Sequence, residues 1–140
     1  MNLEISFSII TVTYNAKNGL LKTINSIQSQ DYKCFSHIIK DAYSEDQTNA
    51  IDFSQYRNTK FYESKDNGVY DAMNQAFRFA KDEFIIYLNA GDTFFNKNSL
   101  KELAIIIKNN PKYNSYSGGT LQIDPLKKRV KRVIGISNLY

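Results

Sequence analysis

The fold is decided by residues 5–15, ISFSIITVTYN. Residues 7–12 are nearly all apolar or β-branched, which is typical of a strand buried on both faces of a parallel sheet. A polar segment at 14–19 ends this strand. The apolar residues that follow recur at helical spacing: Leu20, Leu21, Ile24 and Ile27. This opening predicts a central β-strand, a loop, and a helix that Asn18 is placed to cap.

The same alternation repeats further along the chain. We predict strands at residues 35–41, 60–63 and 84–88, with helices at residues 44–56 and 69–80 between them. The first of these helices begins with acidic residues, which favour a helix N-terminus, and the second follows a turn-forming Lys-Asp-Asn-Gly segment. Strands that alternate with helices through short loops predict an α/β fold with a mostly parallel sheet and right-handed crossovers.

The last third of the chain has a different texture. A further helix is predicted at residues 99–109, where Ser99 and Glu102 have the spacing of a capping box. Beyond it two strands are predicted, at residues 115–123 and 130–136, with no amphipathic helix between them. Because no linker composition interrupts the chain and 140 residues is an ordinary domain length, we predict one domain over residues 1–140.

Composition excludes several classes of protein. Hydrophobic residues make up 42% and charged residues 23%, which is ordinary for a globular protein. The longest apolar stretches fall far below the roughly 20 residues of a membrane span, and the N-terminus lacks a signal pattern. A single cysteine, Cys34, and a single histidine, His37, argue against a disulfide framework and a Cys/His metal site. These features predict a cytoplasmic protein.

The net charge of +4 is concentrated near the C-terminus. Basic residues there are not interleaved with aromatic residues, which disfavours nucleic-acid binding. Such a cluster is usually a solvated face, but it also suits peripheral contact with an anionic membrane surface or a lipid diphosphate. The cluster comprises Lys127, Lys128, Arg129, Lys131 and Arg132.

Polar residues follow the predicted strands at the points where the strands end. In an open parallel sheet, ligands bind beyond the carboxyl ends of the strands, so these residues should share one crevice. Tyr14 and Asn15 suit a base and a ribose, Asp41 can accept from a base N–H or a ribose hydroxyl, and Asp92 can hold a hard divalent cation. Gly68 opens a helix whose free N–H groups favour an anion such as a diphosphate. Together they describe a metal–nucleotide site.

Each of these residues also has a structural interpretation. Asn-Gly and Gly-Asp pairs are common in turns, Asp92 can cap a turn, and Tyr14 can simply cover the sheet. Asp46, in the first turn of the predicted second helix, is interpreted as a structural cap. What favours the functional interpretation is that all the candidates fall at strand ends.

Four segments resemble the family-2 glycosyltransferases, in particular the bacterial branch related to colanic acid and capsule enzymes. They are SIITVTYN (8–15), IIKDAYSEDQT (38–48), ESKDNGVYDAMNQAF (63–77) and FIIYLNAGD (84–92). The resemblance implies a GT-A fold, a nucleotide-diphosphate sugar as donor, a saccharide or lipid-linked acceptor, and a divalent metal, Mg²⁺ or Mn²⁺. The donor-binding residues it implies are Val12, Thr13, Tyr14, Asn15, Asp41, Asp66, Asp71, Asn74, Asn89 and Ala90, with Asp92 as the metal ligand.

The chain departs from the family pattern at two positions. Many relatives carry a second acidic residue, which binds uracil, where this chain has Ala42. A uridine nucleotide is still expected from the resemblance, but this contact does not support it. The usual Asp-x-Asp metal motif is reduced to Asp92 alone. We expect the general base and the acceptor-binding elements to lie outside these 140 residues, since Asp124 is a poor candidate for the base.

Two other function classes occur on α/β folds of this kind. A Rossmann oxidoreductase is excluded because no G-x-G-x-x-G follows the first strand, and a P-loop is also absent. A non-enzymatic module that binds a nucleotide diphosphate without transferring sugar remains the alternative. The leading hypothesis is a glycosyltransferase donor site whose isolated chain does not transfer.

Overall fold

The computed structural model describes residues 4–124 and 129–134. Contacts divide the chain into two compact units, Met1–Lys108 and Asn109–Tyr140. Whether these units fold as one domain stays a prediction. None of the helices in the described ranges is long and apolar enough to span a membrane.

The larger unit is built on a four-stranded parallel sheet. Its strands are β1 (Phe7–Thr13), β2 (Phe35–Asp41), β3 (Thr59–Glu63) and β4 (Phe84–Tyr87), in the order β3-β2-β1-β4. The helices are α1 (Lys17–Gln28), α2 (Val69–Phe77) and α3 (Ser99–Asn109). A separate antiparallel pair is formed by β5 (Thr120–Asp124) and β6 (Arg129–Ile134). The predicted α/β class and parallel sheet are confirmed.

The hydrophobic core lies on both faces of β1 and β2. Successive residues of a strand point to opposite faces, so Ile38 packs against α2 while Ile39 packs against α1. Strand β1 is buried along its whole length because it is flanked by β2 and β4. Strand β4 is only partly buried, in contrast to the apolar run that suggested a fully buried strand, because in the described structure it pairs with β1 alone.

The prediction of a helix at residues 44–56 is wrong. The segment instead contains two short 3₁₀ helices, Thr48–Ala50 and Phe53–Gln55. Just before each of them, an aspartate carboxylate accepts hydrogen bonds from the backbone N–H and the hydroxyl of the residue two positions ahead: Asp46 from Thr48, and Asp52 from Ser54. Such local side-chain bonds give the backbone an alternative to helical hydrogen bonding.

Asp46 caps a helix, but not the one predicted for it. Its Oδ2 accepts a hydrogen bond of 2.8 Å from the Lys17 N–H at the start of α1. The Thr48 hydroxyl and the Lys17 N–H lower the pKa of the Asp46 carboxyl below its ordinary value. The prediction that Asn18 caps α1 is therefore wrong, because the helix begins one residue earlier, at Lys17.

Two further boundaries differ from the predictions. The capping box of Ser99 and Glu102 is not formed, because the Glu102 N–H binds the Asn98 carbonyl and the Ser99 hydroxyl accepts from the Asn96 N–H. Strand β5 begins at Thr120 rather than at residue 115. Strand β6 matches the predicted second strand as far as Ile134, and residues 135–136 lie outside the described ranges.

Candidate functional site

A cleft of about 560 Å³ lies at the carboxyl ends of the parallel strands. Its lining comes from the end of β1, the residue after β2, the turn before α2, the first turn of α2 and the residue after Leu88. Parallel topology brings these distant segments to one edge of the sheet, as the sequence predicted. The lining residues are Val12, Thr13, Tyr14, Ala42, Lys65, Asp66, Gly68, Val69, Ala72 and Asn89.

The structure separates the predicted site residues into two groups. The residues that line the cleft are Val12, Thr13, Tyr14, Asp66 and Asn89. Those that do not line it are Asn15, Asp41, Asp71, Asn74, Ala90 and Asp92. Several members of the second group hold the loops from which the cleft is built, and the roles assigned to both groups stay predictions.

One wall of the cleft is apolar and accessible. Tyr14 is 60% exposed and Val69 is 46% exposed, although both line the cleft. Val12 and Ala72 extend this wall into the core, where Ala72 packs with Ile10 and Ile38. An exposed ring beside aliphatic side chains suits a flat aromatic ligand.

Asp66 is held in place by a buried lysine. The Lys40 side chain is 1% exposed, and its ammonium forms an ion pair with the Asp66 carboxylate and donates a 2.7 Å hydrogen bond to the Ser64 carbonyl. The other oxygen of Asp66 accepts from the Gly68 N–H at 3.0 Å. Burial alone would raise the pKa of Asp66, but the Lys40 and Gly68 hydrogen bonds and the lysine charge hold it below its ordinary value. Asp66 is therefore an ionised carboxylate at the cleft.

Asp41 is fully buried and binds the loop that follows β2. Its carboxylate accepts from the Ser44 N–H at 2.7 Å and from the Ser44 hydroxyl at 2.5 Å. The Ser44 oxygen in turn accepts from the Asn15 N–H, and the Asn15 side chain accepts from the Glu45 N–H. Asp41 and Asn15 thus tie the loop after β1 to the loop after β2.

Asp71 supports the turn that enters α2. Its carboxylate accepts from the Asn67 N–H at 2.8 Å and from the Gln75 side chain at 3.1 Å. Gln75 also donates to the Lys65 carbonyl and accepts from the Ser64 hydroxyl. Asn74 is exposed on the same helix. The arrangement fixes the segment that carries Asp66 and Gly68.

A four-residue turn follows Leu88. The Asp92 N–H donates to the Asn89 carbonyl at 2.9 Å, and Gly91 has a φ of 101°, as the third residue of a type II turn requires. The turn packs against α1, where the buried Thr23 hydroxyl donates to the Asp92 carbonyl at 2.7 Å and accepts from the Gly91 N–H at 3.0 Å. Asp92 itself is exposed.

Two polar atoms at the cleft lack protein partners. In the described part of the chain, the Thr13 hydroxyl oxygen and the Asn89 Oδ1 are buried without a hydrogen bond. An unsatisfied buried polar atom costs about 1–3 kcal/mol, so such atoms are uncommon outside functional sites. Both belong to residues that line the cleft.

No group of three or more His, Cys, Asp or Glu side chains is close enough to hold a metal ion within the ranges that the structure describes. A cation at this edge would therefore take most of its ligands from a bound phosphate group and water. Mg²⁺ is commonly held in this way, by one or two carboxylates together with substrate phosphates. Asp92 offers one exposed carboxylate of the required hard-oxygen type.

A second cavity, of about 590 Å³, lies at the opposite end of the strands. Its lining mixes acidic and basic side chains with the half-buried Cys34. Burial, followed by the nearby charges of Glu4 and Asp82, raises the pKa of the Cys34 thiol, which stays protonated and is not an activated nucleophile.

Two residues that support the site were not identified from the sequence. Lys40 orients Asp66, and Thr23 holds the turn that ends in Asp92. The role of Lys40 could have been predicted, because a lysine inside the apolar strand FSHIIKD has to be buried with a partner. The role of Thr23 could not, since threonine is common in amphipathic helices.

The family model described as Glycosyl transferase family 2 matches residues 8–132. The chain belongs to this family. It is 28% identical over 105 residues to the UDP-Glc:alpha-D-GlcNAc-diphosphoundecaprenol beta-1,3-glucosyltransferase WfgD of Escherichia coli, covering 74% of this chain and 42% of that protein. It is also 28% identical to the amylovoran biosynthesis glycosyltransferase AmsB of Erwinia amylovora, covering 74% of this chain and 36% of AmsB.

Solved structures place the fold of this family-2 chain in the GT-A class. Staphylococcus aureus TarS in complex with UDP-GlcNAc superposes with a TM-score of 0.71 at 27% identity, covering 86% of this chain and 35% of TarS. The mannosyltransferase PcManGT of Pyrobaculum calidifontis, at 18% identity and a TM-score of 0.70, shares the fold. The chain spans about a third to two fifths of the length of these relatives.

Proposed function

We propose that the cleft binds a nucleotide-diphosphate sugar and that the chain is the donor-binding part of a glycosyltransferase. The observation that carries the proposal is the joint lining of one cleft by Tyr14, Lys65 and Asp66 at the carboxyl edge of a family-2 sheet. The sugar would be passed to a saccharide or lipid-linked acceptor of a surface polysaccharide.

The cleft offers a separate feature for each part of the donor. Tyr14 and Val69 are accessible for stacking against the base, and the ionised Asp66 can accept from ribose or sugar hydroxyls. Lys65 and the start of helix α2 at Gly68 carry the positive charge and N–H groups that bind a diphosphate. Asn89 carries an unpaired oxygen on the same lining.

Relatives support a uridine nucleotide. The name of the E. coli protein specifies UDP-Glc and a diphosphoundecaprenol-linked GlcNAc, and TarS has been crystallised with UDP-GlcNAc and with UDP. Ala42 lines the cleft where many family members carry an acidic residue, so the preference for uracil would rest on other contacts. For the present chain, the base, the sugar and the acceptor are all part of the proposal.

Asp92 fits the role of a metal ligand, and Asn89 is the other residue of its turn whose side chain carries an oxygen atom. Bound Mg²⁺ or Mn²⁺ would neutralise the diphosphate as the nucleotide departs. The structure with GDP-Man and Mn²⁺ belongs to PcManGT, and it supports the choice of metal here only by likeness of fold.

We also propose a cytoplasmic location with peripheral contact to the inner face of the plasma membrane. Support comes from the basic residues at 127–132 and from the lipid-linked acceptor named for the E. coli relative. Co-sedimentation with vesicles of phosphatidylglycerol, but not of phosphatidylcholine, is the expected result. Equal sedimentation with both would remove this part of the proposal.

Titration calorimetry with UDP tests the donor site. We expect UDP to bind more tightly than ADP, and to bind much more tightly in Mn²⁺ than in EDTA. Asp92→Ala should abolish the effect of Mn²⁺, whereas Asp31→Ala, which removes an exposed carboxylate near the second cavity, should not. Equal UDP affinity in Mn²⁺ and in EDTA would refute the metal site.

A radiolabelled donor assay separates the enzyme from the alternative of a binding module. Acceptor-dependent transfer by the protein as it occurs naturally would establish the enzyme. Tight donor binding without transfer in that protein would favour the non-catalytic module.

A further inference from the structure

One face of α1, continued by Gln30 two residues beyond the end of the helix, contacts the segment from Asn89 to Leu100 at several points. The polar or small residues on this face recur at intervals of four, three and four positions, which is the spacing of a single helical face. Each contacts the segment that follows β4. The residues are Gly19, Thr23, Ser26 and Gln30.

Thr23 makes the contacts at the turn itself. Its hydroxyl has one proton, and the shortest contact, 2.7 Å, is to the Asp92 carbonyl. Alternative acceptors, the carbonyls of Gly19 and Asn89, are farther away at 3.2 and 3.3 Å. Since the same oxygen accepts from the Gly91 N–H at 3.0 Å, the side chain bridges two successive residues of the turn. It is completely buried, so water does not compete for these bonds.

Gly19 permits the close approach of α1 to this turn. A Cβ atom at residue 19 would lie 3.2 Å from the Gly91 nitrogen and 3.3 Å from its Cα. Any larger residue would therefore displace the turn by a few tenths of an ångström. Steric contact at Gly19 and hydrogen bonding at Thr23 thus act on the same two residues, Gly91 and Asp92.

We propose that Thr23 is a positioning residue for Asp92, which fixes the turn so that the Asp92 carboxylate is presented to a metal–diphosphate group. This inference rests on the proposed function, because it assumes that Asp92 binds a metal. The other polar members of the face, Ser26 and Gln30, bind Phe94, Asn96 and Leu100, beyond the turn.

This difference supplies a matched control. Thr23→Val keeps the shape of the side chain but removes the hydroxyl, and Thr23→Ser restores the hydroxyl without the methyl group. Ser26→Ala deletes a comparable bond, of 2.8 Å to the Phe94 N–H, outside the turn. Gly19→Ala disturbs the turn through steric contact with Gly91 and removes no hydrogen bond.

The experiment measures two quantities in each variant: hydrogen exchange of the Gly91 amide in the free chain, and UDP affinity with and without Mn²⁺. In Thr23→Val we expect the Gly91 amide to exchange about tenfold faster and the Mn²⁺-dependent gain in affinity to fall about tenfold, with metal-free affinity unchanged. Thr23→Ser should restore both quantities, and Ser26→Ala should leave both as in the wild type. Gly19→Ala should lower the Mn²⁺ gain about threefold, which keeps the test decisive if Thr23→Val does not fold.

The outcomes distinguish the two proposals. If the wild-type chain binds UDP equally with and without Mn²⁺, the metal site fails and the positioning role fails with it. If the wild type depends on Mn²⁺ and both Thr23→Val and Gly19→Ala retain that dependence, only the positioning role is overturned. If Ser26→Ala lowers the Mn²⁺-dependent gain in UDP affinity as much as Thr23→Val does, the positioning role is also overturned. The effect would then come from a general loss of order in the segment from Asn89 to Leu100.

Discussion

Lys40 and Asp66 form an ion pair that joins the end of β2 to the turn before α2. The lysine is almost fully buried, and its ammonium reaches both the Asp66 carboxylate and the Ser64 carbonyl. Because Asp66 also accepts from the Gly68 N–H, one buried cation holds a carboxylate of the cleft wall and the start of a helix together. Lys40 therefore stabilises the wall of the cleft although it does not line the cleft.

Replacing Lys40 with methionine should destabilise the protein. Lys40→Met keeps the apolar part of the side chain but leaves Asp66 without its counter-charge, and losing one partner of a buried pair costs about 3 kcal/mol. Urea denaturation measures the free energy of unfolding. Lys60→Met, at an exposed position on β3, is the control and should change stability by no more than about 0.5 kcal/mol. Equal effects of the two substitutions would contradict the role of the pair.

His37 should make stability depend on pH below neutrality. The Thr11 hydroxyl donates to the Leu88 carbonyl, so the bonding pattern assigns the proton of the 2.8 Å contact between Thr11 and His37 to Nε2. The Nδ1 is buried without a partner in the described structure, and burial lowers the pKa of His37 to about 3. The unfolded chain therefore takes up the proton more readily, and stability is lost as the pH falls from about 6.5 towards 3.

Between pH 6.5 and 4.5 this loss should reach about 2–3 kcal/mol, at roughly 1.4 kcal/mol per pH unit. Carboxylates with lowered pKa values, such as Asp46 and Asp66, act mainly below this window. Urea denaturation at several pH values provides the measurement. His37→Gln should flatten the dependence, and an unchanged slope in that variant would show that another group is responsible.

Gly68 should not tolerate a side chain. Its φ of 113° is a conformation that L-residues rarely adopt, so Gly68→Ala should cost about 1–3 kcal/mol in strain although no neighbour blocks the added Cβ. UDP binding should weaken as well, since Gly68 lines the cleft. Gly118 also has open space around it but no such φ, and Gly118→Ala is the matched control for denaturation. Equal stabilities of the two variants would refute the strain.

Tyr14 should contribute to nucleotide affinity. Stacking of an aromatic side chain on a base is worth about 1–3 kcal/mol, so Tyr14→Ala should weaken UDP binding about tenfold or more, whereas Tyr14→Phe should retain it. Calorimetry gives the comparison. Tyr113→Ala removes a ring of similar exposure from the other unit and should have no effect. Unchanged affinity in Tyr14→Ala would mean that the ring only covers the sheet.

Much of the larger unit could be predicted from local patterns. Residues 7–13 and 84–87 are strands because they are apolar and β-branched, and the polar residues that follow them mark the carboxyl edge of the sheet. The segment at 44–56 could not be predicted in the same way. Its acidic residues fit a helix N-terminus, yet Asp46 and Asp52 form local turns instead, and Asp46 also accepts from the Lys17 N–H of α1, a contact that no local pattern specifies.

By itself, the sequence determined the α/β class, the parallel order of alternating elements and the cluster of polar residues at strand ends, because these depend on the apolar period and on turn chemistry within a few residues. Only the tertiary structure decided which residues hold that cluster in place. Thr23 binds a carbonyl 69 positions away and Lys40 binds a carboxylate 26 positions away. Such bonds form only where packed helices and strands bring distant backbone and side-chain atoms within about 3 Å, and no local pattern specifies that distance.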